Sequence, residues 1–307
     1  MNVQHLVENV LVKEPSSIWS LKGHENFSYS DERKSELYLE AVFQECKDLR
    51  VDSDELVSYI KDWPSEYHLT SKRQQLLSGF AFDPNSHVLE IGGGCGAITR
   101  YLGETFDSVL SIEGSKKRAK LARMRTKGLN NTSILCAPFQ DISFKKKFDY
   151  IFCIGVFEYS ASFVLGDDPY DDVLKIFQEN LAPNGVLVLA IENQFGLKYF
   201  NNIREDHIGK AYEGIQGYPS PHRKVKTFGK KELEERLRKY FKTTAVYFPY
   251  PDYKLPECVL SEEFLLQECA GELVSHYSSR DYHGEVTNNW DEKLVILELA
   301  KNSMLPF

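Results

Sequence analysis

The chain has 307 residues, of which 42% are hydrophobic, so it can form one domain of roughly 200 residues with additions and bury a sizeable core. Its 37 Lys and Arg stand against 45 Asp and Glu, which gives a formal net charge of −8. This charge argues against tight, non-specific binding to nucleic acid, although it leaves room for a local basic groove. No apolar run reaches the roughly 18 residues that a transmembrane helix needs, so we expect no membrane span.

The N-terminus and the cysteines favour a cytoplasmic protein. Residues 1–5 lack the charged and then apolar pattern of a signal peptide. The six cysteines show no Cys-x-x-Cys spacing, and three of them lie in or beside predicted core elements. This distribution favours reduced thiols over a disulfide framework or metal ligands, so we expect no metal site.

Residues 1–65 are predicted to form a helical cap ahead of the main domain. The stretch Ser30-Asp31-Glu32-Arg33 is suited to begin a helix whose apolar positions extend to Leu49. Residues 52–60 predict a second short helix, and residues 70–80 a further one. We expect this region to cover part of a ligand site, although simple packing explains the same pattern.

A strand that turns through glycines into a helix is the most informative feature of the chain. The apolar run 87–91 ends in Gly92, Gly94 and Gly96, and a helical pattern follows directly. Such a turn lets a ligand approach bare backbone at a helix N-terminus. Glu90 stands just before the glycines, and a carboxylate there suits a ligand with positive charge, such as the amino group and sulfonium of S-adenosylmethionine.

A second apolar run, 108–112, ends in Glu113. An acid at the tip of the second strand can accept both ribose hydroxyls of a nucleoside, although a solvated carboxylate has the same pattern. The basic stretch 115–127 that follows raises the question of nucleic acid binding. Its apolar stripe favours a helix whose charges form a solvated outer face.

Strands and helices then alternate, which implies parallel βαβ units. The run 148–155 is almost continuously apolar, as expected of a strand buried on both faces. A helix is predicted over 230–240. The remaining predicted strands are 132–136, 185–191, 243–250 and 293–300.

Two stretches, 192–228 and 251–292, exceed the minimal core of such a domain. Loops of this length in a compact domain are usually functional. Ligands bind beyond the carboxyl ends of parallel strands, and the first insert leaves from such an end. We therefore expect both inserts to cover the acceptor of a reaction.

The motif Glu90, Gly92, Gly94 and Gly96 resembles the first motif of class I S-adenosylmethionine-dependent methyltransferases, Glu-x-Gly-x-Gly-x-Gly. Over about residues 65–300 this resemblance implies a Rossmann-like α/β fold with helices on both faces of a mostly parallel, seven-stranded sheet. The methyltransferase domain would then be 66–307, the seventh strand would be antiparallel, and S-adenosylmethionine would be the cofactor.

The resemblance also implies positions for the rest of the donor. Phe139 and Gln140 lie where relatives hold adenine, with Asp141 as the alternative acceptor for the adenine amino group, and Gly155 ends the fourth strand beside the same site. Relatives often carry a Glu-His pair at the position of Glu158-Tyr159. Tyr159 replaces that histidine, so this position is not expected to supply a base.

Tyr67, His68 and Arg73 are candidates to contact the carboxylate of the donor's methionine part, with simple packing as the alternative. A narrower resemblance rests on four strings, near residues 66–69, 191–200, 205–230 and 248–256. They are similar to methyltransferase domains found with bacterial surface-polysaccharide and glycan assembly enzymes. This implies a sugar, phosphosugar or glycan precursor as acceptor and association with glycan-assembly enzymes.

A sugar hydroxyl is a weak nucleophile that benefits from a general base, whereas a phosphate or carboxylate oxygen needs none. The candidate base is His207, with Asp206 beside it to orient the ring and Glu192 as the competing base. The alternative is that His207 packs a loop. Basic side chains could pair with an acidic acceptor or form surface charge: Lys198, Arg204, Arg223 and Lys254.

Two other functions remain open. The string 91–99 also resembles rRNA adenine dimethylases, which would make the acceptor RNA or DNA. Those enzymes usually show an Asn-Leu-Pro-Tyr-like motif after the fourth strand to hold a flipped base, and Gly155-Val156-Phe157-Glu158 stands here instead. The other is a cofactor-binding module that docks onto a larger assembly without catalysis.

Overall fold

A computed structural model describes residues 3–23, 33–220, 224–267, 269–284 and 289–305. The predicted helix start at Ser30-Asp31-Glu32 and the predicted anion-binding Arg223 lie outside these residues. The chain forms two compact units. The first comprises Met1–Gln74, Phe80–Phe157 and Lys175–Ala190, and the second comprises Gln75–Gly79, Glu158–Leu174 and Ile191–Phe307.

The strands and helices alternate through the middle of the chain, as the sequence predicts. The strands are β1 (Leu11–Lys13), β2 (Trp19–Leu21), β3 (His87–Ile91), β4 (Ser108–Glu113), β5 (Thr132–Cys136), β6 (Phe148–Ile154), β7 (Leu181–Ala190), β8 (Tyr247–Tyr250) and β9 (Cys258–Ser261). The helices are α1 (Arg33–Glu45), α2 (Asp54–Val57), α3 (Trp63–Leu69), α4 (Gln75–Ser78), α5 (Ala97–Thr105), α6 (Lys116–Arg125), α7 (Ser160–Phe163), α8 (Pro169–Asn180), α9 (Leu197–Phe200), α10 (Lys230–Leu237), α11 (Glu262–Leu265), α12 (Cys269–Val274) and α13 (Glu292–Lys301). Short 3₁₀ helices occur at Val3–His5, Ser71–Gln74, Phe139–Asp141 and Phe157–Tyr159.

The first unit is built on a seven-stranded sheet in the order β1-β2-β5-β4-β3-β6-β7. All neighbours pair in parallel except β1 and β2, which form an antiparallel pair at one edge. Starting from the central β3, the chain adds β4 and β5 on one side and β6 and β7 on the other. This topology confirms the predicted Rossmann-like α/β class. Burial explains the central strands, since Ile151, Phe152 and Cys153 of β6 are almost inaccessible to solvent.

One of the predicted strands is a helix in the structure. The predicted last strand 293–300 is wrong, because these residues form α13, whose N-cap Asp291 accepts a hydrogen bond from the Leu294 amide. Ile296 of α13 lies in a hydrophobic core with Val274 of α12, so α13 buries an apolar side chain against another helix. A short apolar run does not by itself separate strand from helix, and tertiary packing decides here.

The predicted strand 243–250 is shorter than expected and lies outside the main sheet. Its residues Tyr247–Tyr250 pair antiparallel with Cys258–Ser261 in a two-stranded sheet of the second unit. The count of seven is completed instead by β1 and β2, which lie at the edge next to β5, are three residues long each and belong to the segment expected to be helical. The predicted seven strands are therefore present, but the antiparallel one is at the N-terminal edge.

The rest of the N-terminal region is helical, as predicted, and packs against α6 and the glycine turn within the first unit. Glu36 of α1 forms ion pairs with Lys117 (3.1 Å) and Arg118 (3.2 Å) of α6. Apolar residues of α1 also share a core with Cys95, which lies in the glycine turn. This segment therefore buttresses the turn, while the domain boundary at 65/66 stays a prediction.

The second unit contains the β8–β9 hairpin and most of the two long inserts. A core of Leu265, Ala270, Val274, Ile296 and Leu305 joins α11, α12 and α13. Arg236 of α10 donates hydrogen bonds of 2.6 Å to both Asp168 and Asp171, which fixes α10 to the start of α8. In the parts of the chain that the structure describes, no helix is long and apolar enough to cross a membrane.

Candidate functional site

The glycine turn after β3 has a backbone that only glycines fit. Gly92 has a φ of 77°, and a Cβ there would lie 2.3 Å from a methyl of Val156. Gly96 has a φ of 91° and caps α5, and a Cβ there would lie 2.7 Å from Cα of Ala122. No side chain caps α5, so the positive end of its helix dipole suits a negatively charged or polar ligand group.

Glu113 at the end of β4 is bound to this turn. Its Oε2 accepts a hydrogen bond of 2.8 Å from the Gly94 amide, and its Oε1 accepts one of 2.8 Å from the Ser115 amide at the start of α6. Burial raises the pKa of Glu113, which the two amides partly oppose. Each carboxylate oxygen has a further lone pair, so the predicted contact with two ribose hydroxyls is compatible with this geometry.

Glu90 lies beneath the turn. Its carboxyl accepts a hydrogen bond of 2.6 Å from the Thr99 hydroxyl and is 4% exposed. Burial raises the pKa of Glu90 to about 7, while hydrogen bonds from Ser111 and Thr99 oppose the rise. Glu90 therefore supports the loop from below, and its direct attraction of a positively charged donor stays a prediction.

The predicted adenine positions lie in the same unit. Phe139 and Gln140 form one 3₁₀ turn after β5, and the buried Phe139 ring lies 6.0 Å from that of Phe177. Gly155 follows β6 with a φ of 68°, and its amide donates to the Ala190 carbonyl at 2.9 Å. Their contacts with a cofactor stay predictions.

Arg73 is the best placed of the candidates for a donor carboxylate. Its guanidinium lies 4.3 Å from the centre of the Tyr67 ring, and the residue is 5% exposed. Its charge also opposes the burial-driven rise in the pKa of Glu90, so it lies within electrostatic reach of the turn. Burial and the charges of Arg118 and Arg73 lower the pKa of His68 to about 3, which leaves His68 neutral.

The second unit contains a buried group of charged residues, here named the ionisable cluster. It brings together residues of both long inserts and of the segment after β6: Glu158, Glu192, Lys198, Asp206, His207, Asp252 and Lys254. Glu192 follows Ala190, the last residue of β7, after a single residue. The three predicted catalytic residues His207, Glu192 and Asp206 are thus close together.

Glu192 is the fixed carboxylate of the cluster. Lys254 Nζ lies 2.9 Å from its Oε1, and Lys198 Nζ lies 3.8 Å from the same atom. Tyr199 donates a hydrogen bond of 2.5 Å to its Oε2. Burial works against ionisation, but the two lysines outweigh it and hold the pKa of Glu192 well below its usual value.

His207 is a neutral imidazole with one nitrogen held and one available. Its Nδ1 shares a hydrogen bond of 2.8 Å with the Tyr159 hydroxyl. Its Nε2 lies 3.6 Å from Glu158 Oε1 and 3.8 Å from Glu192 Oε2, and forms no hydrogen bond among the described residues. Burial lowers the pKa of His207 to about 4.

The predicted role of Asp206 as the orienting group for His207 is wrong. Its carboxyl contacts Lys254 and lies 3.8 Å from Lys198 instead. Burial and the charge of Glu192 raise the pKa of Asp206 to about 8. Tyr159, the residue that replaces the expected histidine, orients the imidazole.

The lysines proposed to bind an acidic acceptor are already paired. Lys198 lies within 3.9 Å of Asp252 as well as near Glu192, and Lys254 contacts Glu192 and Asp206. Both are buried, so the alternative of surface charge is wrong as well. Arg204 pairs with Asp281 at 3.0 Å. Asp252 is distant in the sequence from Lys198, as are the partners of Lys254 and Arg204, so no local pattern indicates these pairs.

Glu158 is a member of the cluster that the sequence did not single out as a site residue. It is completely buried, and neither of its carboxyl oxygens forms a hydrogen bond among the described residues. Burial raises its pKa to about 8. Its carbonyl accepts hydrogen bonds from the Lys226 amide (3.0 Å) and the Tyr170 hydroxyl (3.4 Å), which fix the backbone. The available signal was a carboxylate four residues after the end of a buried strand.

The sheet, the glycine turn and Glu113 define a Rossmann-like domain suited to an adenosyl ligand. Comparison with known families adds the activity, since residues 89–187 match a family described as a methyltransferase domain. No curated protein sequence matches the chain. Residues 89–187, about a third of the chain, therefore form a methyltransferase domain, and S-adenosylmethionine is its cofactor.

Several solved structures show a partial likeness. One is the complex of the Haloferax volcanii Trm112 methyltransferase activator with a methyltransferase (20% identity, 55% of this chain, 66% of that chain, TM-score 0.40). Another is the N-methyltransferase NodS from Bradyrhizobium japonicum WM9 with S-adenosylhomocysteine (17%, 74%, 96%, TM-score 0.42). A third is the CcbJ methyltransferase from Streptomyces caelestis (20%, 48%, 60%, TM-score 0.37). The chain spans just under two thirds of the first protein, and likenesses of this size assign neither substrate nor partner.

Proposed function

We propose that the chain transfers a methyl group from S-adenosylmethionine to a hydroxyl of a sugar, phosphosugar or glycan precursor. The observation that carries this proposal is the neutral, buried imidazole of His207 with the carboxylate of Glu192 beside it. A hydroxyl loses its proton as it is methylated, and this pair offers a base with a group that stabilises its charged form. An acceptor whose oxygen is already charged needs no general base.

Bound S-adenosylmethionine supplies a methyl group activated by its sulfonium. The acceptor oxygen forms the new C–O bond as the C–S bond breaks, and S-adenosylhomocysteine is the leaving group. His207 Nε2 takes the hydroxyl proton, which requires the tautomer in which Nδ1–H donates to the Tyr159 oxygen. Glu192 stabilises the resulting imidazolium, since its charge raises the pKa of His207 against the effect of burial.

The proposal assigns the two inserts, 192–228 and 251–292, to the acceptor. Support comes from the cluster, in which Glu192 and His207 belong to the first insert and Asp252 and Lys254 to the second. The net charge of −8 and the sequence after β6 favour a small acceptor over RNA or DNA. Cytoplasmic location and association with glycan-assembly enzymes belong to the same proposal.

The test is methyl transfer to a panel of nucleotide sugars, sugar phosphates and oligosaccharides, read by mass spectrometry as the gain of one methyl group on oxygen. His207→Gln should reduce the rate by about 10²–10⁴-fold, the usual contribution of a general base. Its affinity for S-adenosylhomocysteine should be unchanged. Methylation confined to nitrogen, or full turnover by His207→Gln, would contradict the proposal.

A further inference from the structure

Glu158 has a carboxyl group that the protein leaves unsatisfied. It is fully buried, yet in the described part of the chain both oxygens lack hydrogen bonds. A buried polar group without a partner costs about 1–3 kcal/mol, and such groups call for an explanation. The backbone of the residue is fixed by two hydrogen bonds on its carbonyl, so the side chain is held at this position.

Nε2 of His207 lies close to this carboxyl and also lacks a hydrogen bond among the described residues. It lies 3.6 Å from Glu158 Oε1, which is longer than a hydrogen bond to nitrogen. Two unsatisfied polar atoms at this separation do not serve each other. One small polar group that contacts both atoms would satisfy them.

The groups around Glu158 determine whether its carboxyl group is protonated. His207 is uncharged, Glu192 contributes a like charge and Lys254 an opposite one, while the Tyr170 hydroxyl and the Lys226 amide meet only its carbonyl. Burial, with the charge of Glu192, raises the pKa of Glu158 to about 8, and the nearby amide of its own backbone and Lys254 offset only part of this. At neutral pH the carboxyl is therefore protonated and has an O–H to donate.

We propose that protonated Glu158 and His207 together bind one hydroxyl of the acceptor, Glu158 donating to its oxygen and His207 Nε2 accepting its proton. A hydroxyl satisfies both partners, since it has a donor and two lone pairs, and its second lone pair attacks the methyl group. A protonated amine has donors only and leaves the Glu158 O–H without an acceptor. Glu158 thus selects hydroxyl acceptors over ammonium groups, an inference that rests on the proposed O-methylation.

The experiment is infrared difference spectroscopy on the protein saturated with S-adenosylhomocysteine, at about pH 7. Wild type minus Glu158→Gln should show the carbonyl band of a protonated carboxylic acid. Adding methyl glucopyranoside, galactopyranoside and mannopyranoside should move this band to lower frequency in at least one case, and cyclohexylammonium, which has no hydroxyl, should not. Glu179→Gln, at a carboxylate that is 57% exposed, is the matched control and should remove no such band.

Absence of the band, or a band that no pyranoside moves, would overturn the inference. The transfer assay separates this failure from failure of the proposed function. Methylation of oxygen by a protein whose Glu158 is ionised contradicts only the inference, whereas a protonated, hydroxyl-sensitive Glu158 without any methyl transfer contradicts the proposed function. In active protein, Glu158→Gln should keep most of the activity because the amide still donates, and Glu158→Ala should lose at least about tenfold.

Discussion

The hydroxyl of Tyr159 and Nδ1 of His207 share a hydrogen bond of 2.8 Å. It ties the segment after β6 to the first insert within the second unit, and it fixes which nitrogen of the imidazole is available. The resemblance led us to expect a histidine at the position of Tyr159, and in the structure a histidine of the first insert contacts that tyrosine instead.

Tyr159→Phe should therefore reduce methyl transfer by about tenfold, because loss of one hydrogen bond of about 1.4 kcal/mol releases the imidazole from its working orientation. The affinity for S-adenosylhomocysteine should not change. Steady-state rates of the two proteins with one acceptor measure this, with Tyr247→Phe at a 46% exposed tyrosine as control. Equal rates for wild type and Tyr159→Phe would remove the orienting role.

Gly96→Ala should destabilise the protein for two reasons, its left-handed backbone and a clash with α6 at 2.7 Å from Ala122. Gly128→Ala is a matched control, since Gly128 has a φ of 88° and open space at its Cβ position. We expect about 1–3 kcal/mol for the strain in each and a further loss for Gly96→Ala alone. Urea unfolding of both variants tests this, and equal losses would contradict the close approach of α5 and α6.

Lys254→Met should destabilise the second unit, because it leaves Glu192 and Asp206 without their closest cation in a buried position. Removal of one partner from a buried ion pair costs about 3–5 kcal/mol. Lys239→Met should change little, since that lysine is 54% exposed. Thermal unfolding of the two variants compares them, and similar melting temperatures would show that the cluster is solvated.

Glu158 should make stability fall as pH rises. The folded protein holds its proton up to about pH 8, whereas the unfolded chain releases it near 4.5, so folding binds a proton between these values. Stability from this group is therefore fully present below about 4.5 and is lost as pH approaches 8. Glu158→Gln should gain stability relative to wild type over that range, as read from urea midpoints, and a constant difference between the two would contradict the raised pKa.

The sequence predicted the parts of the fold that local signals determine. A few neighbouring residues are enough to predict the glycine turn, the position of Glu113 and the buried strand β6. The three-residue strands β1 and β2 could not be predicted in this way, because only the pairing of β2 with β5 and of β1 with β2 makes them strands. The apolar run of α13 fits a strand equally well until Val274 and its neighbours on α12 are present.

Some features of the candidate site could likewise be predicted from the sequence, and others could not. His207, Glu192 and Asp206 could be proposed from residue type and position at the ends of strands. The pairing of Asp206 with Lys254 joins residues of different inserts, and the sequence offers no signal for it. The isolation of Glu158 depends on burial by many elements at once, so only the structure reveals it.

The central claim is that the turn between β3 and α5 binds the adenosyl donor with Glu113 on its ribose. Isothermal calorimetry with S-adenosylhomocysteine tests it most directly, on wild type, Glu113→Ala and the exposed control Glu179→Ala. We predict one molecule bound per chain, an affinity lower by about 10–100-fold in Glu113→Ala, and no change in the control. No binding by wild type, or equal binding by Glu113→Ala, would contradict the claim.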